Sequence, residues 1–212
     1  MSTFQNGSSS HRNYQKIKQY EIEQEYWNRL YHASQSKSEI AWFNPYLDLL
    51  PKRSQVFEIG CGTGDLGQFL IDNNHEVTGI DLSDEAILRA KEAVPKGKWF
   101  SHDIRNPLPL EDHSFDVIIA SLSLHYFEDS QLTIITNELE RVIKKDGVFV
   151  FRINSTNDQE ANNMNNSINR RYFSKEEMDQ WLSNWKVLEV GEKKLTYYGK
   201  MKCLWEGIAI CK

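Results

Sequence analysis

Cysteine is scarce in this chain: Cys61, Cys203 and Cys211 are the only three in 212 residues. Their spacing matches no zinc motif, and three are too few for a disulfide framework, so the expectation is a reduced protein without a metal centre. Long apolar runs are missing, which excludes a membrane span of the hydropathy type. Positive charge is not in excess. Lys and Arg total 25 against 30 Asp and Glu, a net charge of −5. That balance argues against a dedicated binder of nucleic acid or of anionic membrane. The N-terminal MSTFQNGSSSHRNYQK has no apolar core of a signal peptide, so the expected location is the cytoplasm. There is no internal repeat and no sign of a second domain.

What is present suits one globular domain: 40% of residues are apolar and 26% charged. Residues 1–50 read as a polar tail to about Asn13, followed by an aromatic helix from Tyr14 to Tyr31 and a second helix from Ser38 to Leu50. The aromatic helix, with Tyr20, Tyr26, Trp27 and Tyr31, either packs against the domain or forms a flap over an active site. Residues 51–212 read as the domain proper. Apolar strands alternate with helical stretches: VFEIG, EVTGIDL, KWFSHD, FDVIIASLSL and GVFVFRIN are strands, separated by DLGQFLIDN, DEAILRAKEAV and SQLTIITNELERVI. This alternation predicts parallel βαβ units under helices on both faces, a Rossmann-like α/β fold. An Asn-rich insert covers about residues 155–172 and is a candidate substrate cap, jointly with the aromatic helix from the opposite end of the chain. Ser174 and Glu177 then form a capping box for another helix, and two strand-like stretches close the chain as an antiparallel pair.

The stretch VFEIGCGTGDLGQFL carries Gly60, Gly62, Gly64 and Gly67 where the first strand meets its helix. Such a turn brings main-chain amides and a helix N-terminus to a ligand. Gly62-x-Gly64-x-x-Gly67 formally fits a dinucleotide fingerprint, with Asp81 at a suitable distance. Register argues against it. Counted from Gly60, which closely follows the strand, the third position is Asp65, a carboxylate that a pyrophosphate would meet.

Glu58-x-Gly60-x-Gly62-x-Gly64 resembles instead the nucleotide motif of class I S-adenosylmethionine-dependent methyltransferases. Asp81 in VTGIDLS resembles their ribose-binding carboxylate. Asp103 in SHDI resembles the residue that accepts from the adenine amino group. The resemblance runs from about Gln55 to Lys212 and implies a seven-stranded sheet of order 3-2-1-4-5-7-6 with the last strand antiparallel. It implies a cofactor, S-adenosylmethionine, held by Glu58, Gly60, Cys61, Gly62, Gly64, Asp81, Leu82, Asp103, Ile104 and Ser121. Glu58 either orients the loop or meets the cofactor's amino group, and Asp103 read alone is also a turn former. Cys61 reads as a small residue beside the ligand, not a nucleophile.

The acceptor side is less legible. His125, in SLSLHYF, is a candidate general base or a hydrogen-bonded loop residue. Arg152, Arg170 and Arg171 either meet an anionic acceptor or are solvated. The loop after the fourth strand shows no N-P-P-Y motif, which favours a small-molecule acceptor over nucleic acid. RVIKKDGVFVFRINSTND and YYGKMKCLWEG resemble a bacterial group that includes tellurite-resistance-type proteins. Two rivals stand beside methyl transfer: a nicotinamide-dependent oxidoreductase and a non-catalytic module that keeps the cofactor pocket.

Overall fold

The computed structural model describes residues 7–33, 40–161, 168, 170–197 and 200–212. Helix α1 spans Gly7–Ala33 and so begins seven residues before the expected start at Tyr14. The serines at 8–10 are compatible with this, since each costs roughly 0.5 kcal/mol or less relative to alanine in a helix. The second expected helix does not form as one piece. Ala41–Phe43 make a 3-10 turn and α2 is only Asn44–Leu47, while residues 38 and 39 lie outside the described residues. Pro45 explains the break. In the first turn of α2 its missing amide costs nothing, but it cannot donate back to continue an earlier helix.

From there the expected alternation holds. The elements are β1 Gln55–Ile59, α3 Asp65–Asp72, β2 Glu76–Asp81, α4 Asp84–Ala93, β3 Lys98–Ser101 and β4 Phe115–Ser121. They continue as α5 Asp129–Val142, β5 Ile143–Asn154, α6 Lys175–Trp181, β6 Trp185–Tyr197 and β7 Lys200–Cys211. Ser83 caps α4 by accepting from the amide of Ala86, and Ser174 with Glu177 forms the predicted box at α6. A second box at α5, Glu128 with Gln131, has a carboxylate in place of the usual hydroxyl cap.

The seven strands form one sheet, β3-β2-β1-β4-β5-β7-β6. Strands β1 to β5 pair in parallel, and β7 runs antiparallel to both β5 and β6. The strands alternate between two apolar faces. Phe57, Ile118 and Phe149 face a core with Leu139 and Trp185, while Val56, Val117 and Val150 face one with Leu70 and Ile87. Burial on both faces is the reason the strand sequences read as continuous apolar runs.

One side chain ties the glycine loop to this scaffold. The Trp99 indole on β3 occupies space that four glycines leave open: a Cβ on Gly67, Gly79 or Gly97 would lie within 2.4 Å of it, and one on Gly64 at 3.4 Å. Its Nε1 donates to the Val94 carbonyl at 2.8 Å. Gly67 and Gly79 therefore serve packing. Trp99→Ala should cost about 3–5 kcal/mol, the usual scale for removing a buried large aromatic. Urea unfolding followed by circular dichroism measures this, and a loss below about 1 kcal/mol would contradict the packing role.

Candidate active site

At the carboxyl ends of the parallel strands lies a cavity of about 1180 Å³. The chain reaches it through two tight turns. After β1 the amides of Gly60 and Cys61 both donate to the Ile80 carbonyl, at 2.8 and 2.9 Å, which prolongs the strand pairing into the loop. Gly60, Gly62 and Gly64 then take φ of +68°, +54° and +81°. A Cβ on Gly60 would lie 2.6 Å from Ser123 Cβ, and one on Gly62 would lie 2.8 Å from the Tyr31 hydroxyl. Here glycine is required by both conformation and space.

The second turn follows β4. Leu122 has φ of +56°, a strained choice for a bulky residue, and its amide donates to the Arg152 carbonyl at 2.9 Å. That turn brings Ser123 over Gly60 and begins the 3-10 turn Leu124–Tyr126, which buries His125 against the cavity.

The carboxylates at one end are individually held. Asp81 Oδ2 accepts from the Gly62 amide at 3.0 Å and Oδ1 from the Ser83 amide at 2.9 Å. Burial still pushes its pKa up to about 6, against the opposing effect of those amides. Glu58 is pushed up to about 8 by burial, with Asp65 and Asp81 adding to the shift. Among the described residues its buried Oε2 has no hydrogen-bond partner. Asp103 accepts from Arg105 Nε at 2.8 and 3.0 Å, and Arg105 also reaches Glu23 of α1 at 2.8 Å. The Cys61 thiol is raised well above its ordinary value by burial and by Glu58 and Asp81, so it is no nucleophile.

The opposite end is basic. Arg152 on β5 donates from Nε and Nη2 to Ser121 Oγ at 3.0 and 2.9 Å, with its guanidinium 4.1 Å from the centre of the Trp42 ring. Arg170 and Lys202 line the same region. His125 is held well below its ordinary pKa by burial first, then by Lys202 and Arg170. Its Nδ1 has no hydrogen-bond partner among the described residues.

Twelve of the predicted residues line this one cavity: Glu58, Gly60, Cys61, Gly62, Asp81, Leu82, Asp103, Ile104, Ser121, His125, Arg152 and Arg170. Two do not. Gly64 sits at the start of α3, where an added Cβ would meet Val94, Ala90 and Trp99. Arg171 is paired with Asp129 at 2.5 Å and Glu177 at 3.0 Å and stacks on Phe173, so it ties α5 to α6 outside the cavity. Its neighbour Arg170 takes the cavity position. Sequence reasoning missed Trp42, Asn154 and Lys202. Trp42 lies in the broken helix, and Lys202 owes its place to the register of β7, so neither has a periodic signal.

Helix α1 lies across this site by a polar face. Gln24 donates to the Leu82 carbonyl at 3.1 Å and to Asp84 at 3.2 Å. Asn28 Oδ1 accepts from Ser83 Oγ at 2.7 Å and from the Glu85 amide at 3.2 Å. Trp27 meets Tyr126 edge-on at 5.1 Å. Positions 24, 27, 28 and 31 share one helical face, so the helix reaches the Asp81 loop, Gly62 and the Leu124–Tyr126 turn together.

A family model described as a methyltransferase domain matches residues 56–147. A putative methyltransferase of Bacillus subtilis, YqeM, is 30% identical over 111 residues, half of this chain and 45% of that protein. The 2-methyl-6-phytyl-1,4-hydroquinone methyltransferase of Synechocystis is 30% identical over 142 residues, 66% of this chain and 42% of that one. The chain thus spans less than half the length of these curated relatives. Among solved structures, a methyltransferase of Methanosarcina mazei described as S-adenosylmethionine-dependent superposes with a TM-score of 0.71 at 19% identity, covering 82% of this chain and 99% of that one. The narrower likeness to tellurite-resistance-type proteins is not carried by these matches. By its matched domain and its sheet order, the chain carries a methyltransferase domain on the fold it shares with S-adenosylmethionine-dependent methyltransferases of known structure.

Proposed function

We propose that this chain transfers a methyl group from S-adenosylmethionine to a small-molecule acceptor. The observation that carries the reading is the acidic end of the cavity, where Glu58 Oε2 is buried without a partner among the described residues, beside a loop whose positive φ angles call for glycine. A bound ammonium would satisfy that oxygen. Asp81, already fixed by the amides of Gly62 and Ser83, keeps further acceptor capacity for two hydroxyls. Asp103 and Ile104 close the far side for an adenine amino group and ring. When bound, the cofactor supplies a methyl group already activated on a sulfonium.

The chain's own work is then alignment and exclusion of water. The Leu122 turn sets Ser123 and His125 beside the acceptor. His125 stays neutral, because an imidazolium there would face Lys202 and Arg170 while buried. We assign it a positioning role through a hydrogen bond, in place of general base. Helix α1 is the cover: it spans the cofactor loop and the acceptor loop, and its Tyr26 also acts on Arg170 from the opposite end of the chain. The insert expected to share this task lies partly outside the described residues, at 162–167 and 169. The nicotinamide reading is disfavoured by Asp65, which lines the cavity where a pyrophosphate would need amides alone.

Glu58 gives the test a proton signature. Without ligand it holds a proton below about pH 8, whereas in the unfolded chain it releases it near 4.5. The native state binds the extra proton, so this group's contribution to stability falls as pH rises through that window. An ammonium beside Glu58 favours the carboxylate, so S-adenosylhomocysteine binding at pH 7 should release a proton. Calorimetry in buffers of different ionisation enthalpy reads this directly. Glu58→Gln should abolish the release and weaken binding. Tight binding with no proton exchange in either form would place the ammonium elsewhere.

The cover makes a separate kinetic prediction. Gln24→Ala with Asn28→Ala removes four hydrogen bonds; at about 0.5 kcal/mol each, the low end for partly exposed bonds, they total about 2 kcal/mol, or roughly thirtyfold. S-adenosylhomocysteine should dissociate faster from the double variant by up to that factor, measured by stopped-flow fluorescence. An unchanged dissociation rate would mean that α1 does not close over the ligand.

A further inference from the structure

Five buried side-chain polar atoms have no hydrogen-bond partner among the described residues, and all five belong to residues lining the cavity. Glu58 Oε2 and Ser123 Oγ lie by the glycine loop, while His125 Nδ1, Asn154 Oδ1 and Arg170 Nε belong to the other end. The last three come from segments that the backbone stitches together. The Arg171 amide donates to the His125 carbonyl at 2.7 Å, and the Phe173 amide to the Asn154 carbonyl at 2.9 Å. Residues 170–173 thus bridge the Leu124–Tyr126 turn and the end of β5. Side chains alternate along such an extended stretch. Arg171 and Phe173 stack on each other outside the lining, while Arg170 and Tyr172 line the cavity.

Charge alone does not define a ligand here, because the basic groups stand among acidic ones. Arg152 is the cross-strand neighbour of Glu206, and both are buried. Asp158 acts on Lys202 against the effect of Arg170 and Arg152, and Glu160 lines the same cavity. Hydrogen-bonding demand is more specific. Asn154 and His125 are each 1% exposed. A buried polar atom left without a partner costs about 1–3 kcal/mol, so such atoms gathered on one wall of a cavity mark where a polar ligand group sits. Asn154 Oδ1 only accepts and needs a hydrogen on the ligand. Arg170 Nε only donates and needs a lone pair, and a hydrogen bond to Tyr126 steadies its guanidinium. A neutral His125 has one ring nitrogen that donates and one that accepts, so it suits either demand.

We infer that Asn154, His125 and Arg170 form a subsite for a neutral hydroxyl group on the methyl acceptor. The word acceptor rests on the methyl-transfer reading, and the subsite itself does not. A hydroxyl is the most compact group that both donates and accepts. An anion would bring Asn154 Oδ1 no hydrogen, and an ammonium would bring Arg170 Nε no lone pair. The subsite orients the acceptor and takes no part in bond making. Trp42, Tyr126 and Tyr172 line the same cavity and give the carrier of the hydroxyl aromatic walls.

Ligand-observed NMR titrations on the full chain test this, with and without saturating S-adenosylhomocysteine. The probes are phenol, anisole, benzoate and benzamide. They present one ring with a hydroxyl, an ether that only accepts, an anion, and a larger neutral group that also donates and accepts. Phenol should bind at least about tenfold tighter than anisole and benzoate, because a site built around a hydroxyl rejects the analogue that leaves its polar groups unpaired. It should also bind tighter than benzamide. Asn154→Leu removes the unpaired oxygen at nearly constant volume. It should bring phenol and anisole within about twofold of each other without lowering the urea midpoint, since no hydrogen bond of that oxygen is lost. A purely structural asparagine would give the reverse, a lower midpoint with the preference kept. His125→Phe should also reduce the preference, and it carries the test if Asn154→Leu does not fold. Anisole binding as tightly as phenol, benzoate or benzamide binding more tightly than phenol, no phenol binding in either form, or a preference unchanged in both variants would overturn the subsite. A phenol preference that the variants lose, in a protein that does not bind S-adenosylhomocysteine, would uphold the subsite and overturn the methyl-transfer reading.

Discussion

The site depends on one buried carboxylate. Asp81 ends β2 and grips the amides of Gly62 and Ser83 at once. The first grip fixes the loop after β1, and the second fixes the start of α4. Other bonds hold the same loops, the Gly60 and Cys61 amides on the Ile80 carbonyl and Asn28 on Ser83 and Glu85, but hydrogen bonds to a charged acceptor outweigh neutral ones. Burial works against the charge, and the amides work for it. The position is stable because the backbone, unlike a mobile side chain, delivers its donors in fixed directions.

From that clamp the rest of the cavity follows by geometry. The glycine loop leaves room above Glu58, whose carboxyl is kept from ionising by burial and by Asp65 and Asp81. Trp99 packs into the gaps left by Gly67, Gly79 and Gly97, so the loop rests on a rigid surface. Strain is confined to the other rim, where Leu122 takes a left-handed conformation to turn Ser123 and His125 inward. Stored strain of about 1–3 kcal/mol is affordable there because the sheet on either side is fully paired.

Helix α1 illustrates a different economy. Its contact face is polar, with Gln24 and Asn28 satisfying loop groups and Glu23 completing a chain through Arg105 to Asp103. A helix held by hydrogen bonds and one aromatic edge contact can leave more readily than one held by buried leucines, because water replaces each bond it loses. That property suits an element lying over a cavity that ligands must enter.

The order and type of the strands and helices were legible because both faces of the sheet are covered, which writes long apolar runs into β1, β4 and β5. The glycines were legible because the loop after β1 is local and its conformation admits few residue types, and Asp81 and Asp103 because each stands at the carboxyl end of an apolar strand. The break at Pro45 needed only the amide it lacks, yet the residues on either side look helical. What the sequence could not settle was which of two adjacent arginines enters the cavity. Arg170 and Arg171 differ only in the carboxylates near them, and Asp129 and Glu177, which capture Arg171, come from two separate helices. Lys202, Asn154 and Trp42 join the site for the same kind of reason, through strand register and packing across more than a hundred residues. The sequence by itself determined the sheet and the glycine loop, because both arise from local conformation and burial. Tertiary structure alone decided the basic end, because a charge acquires its role only from the distant groups that surround it.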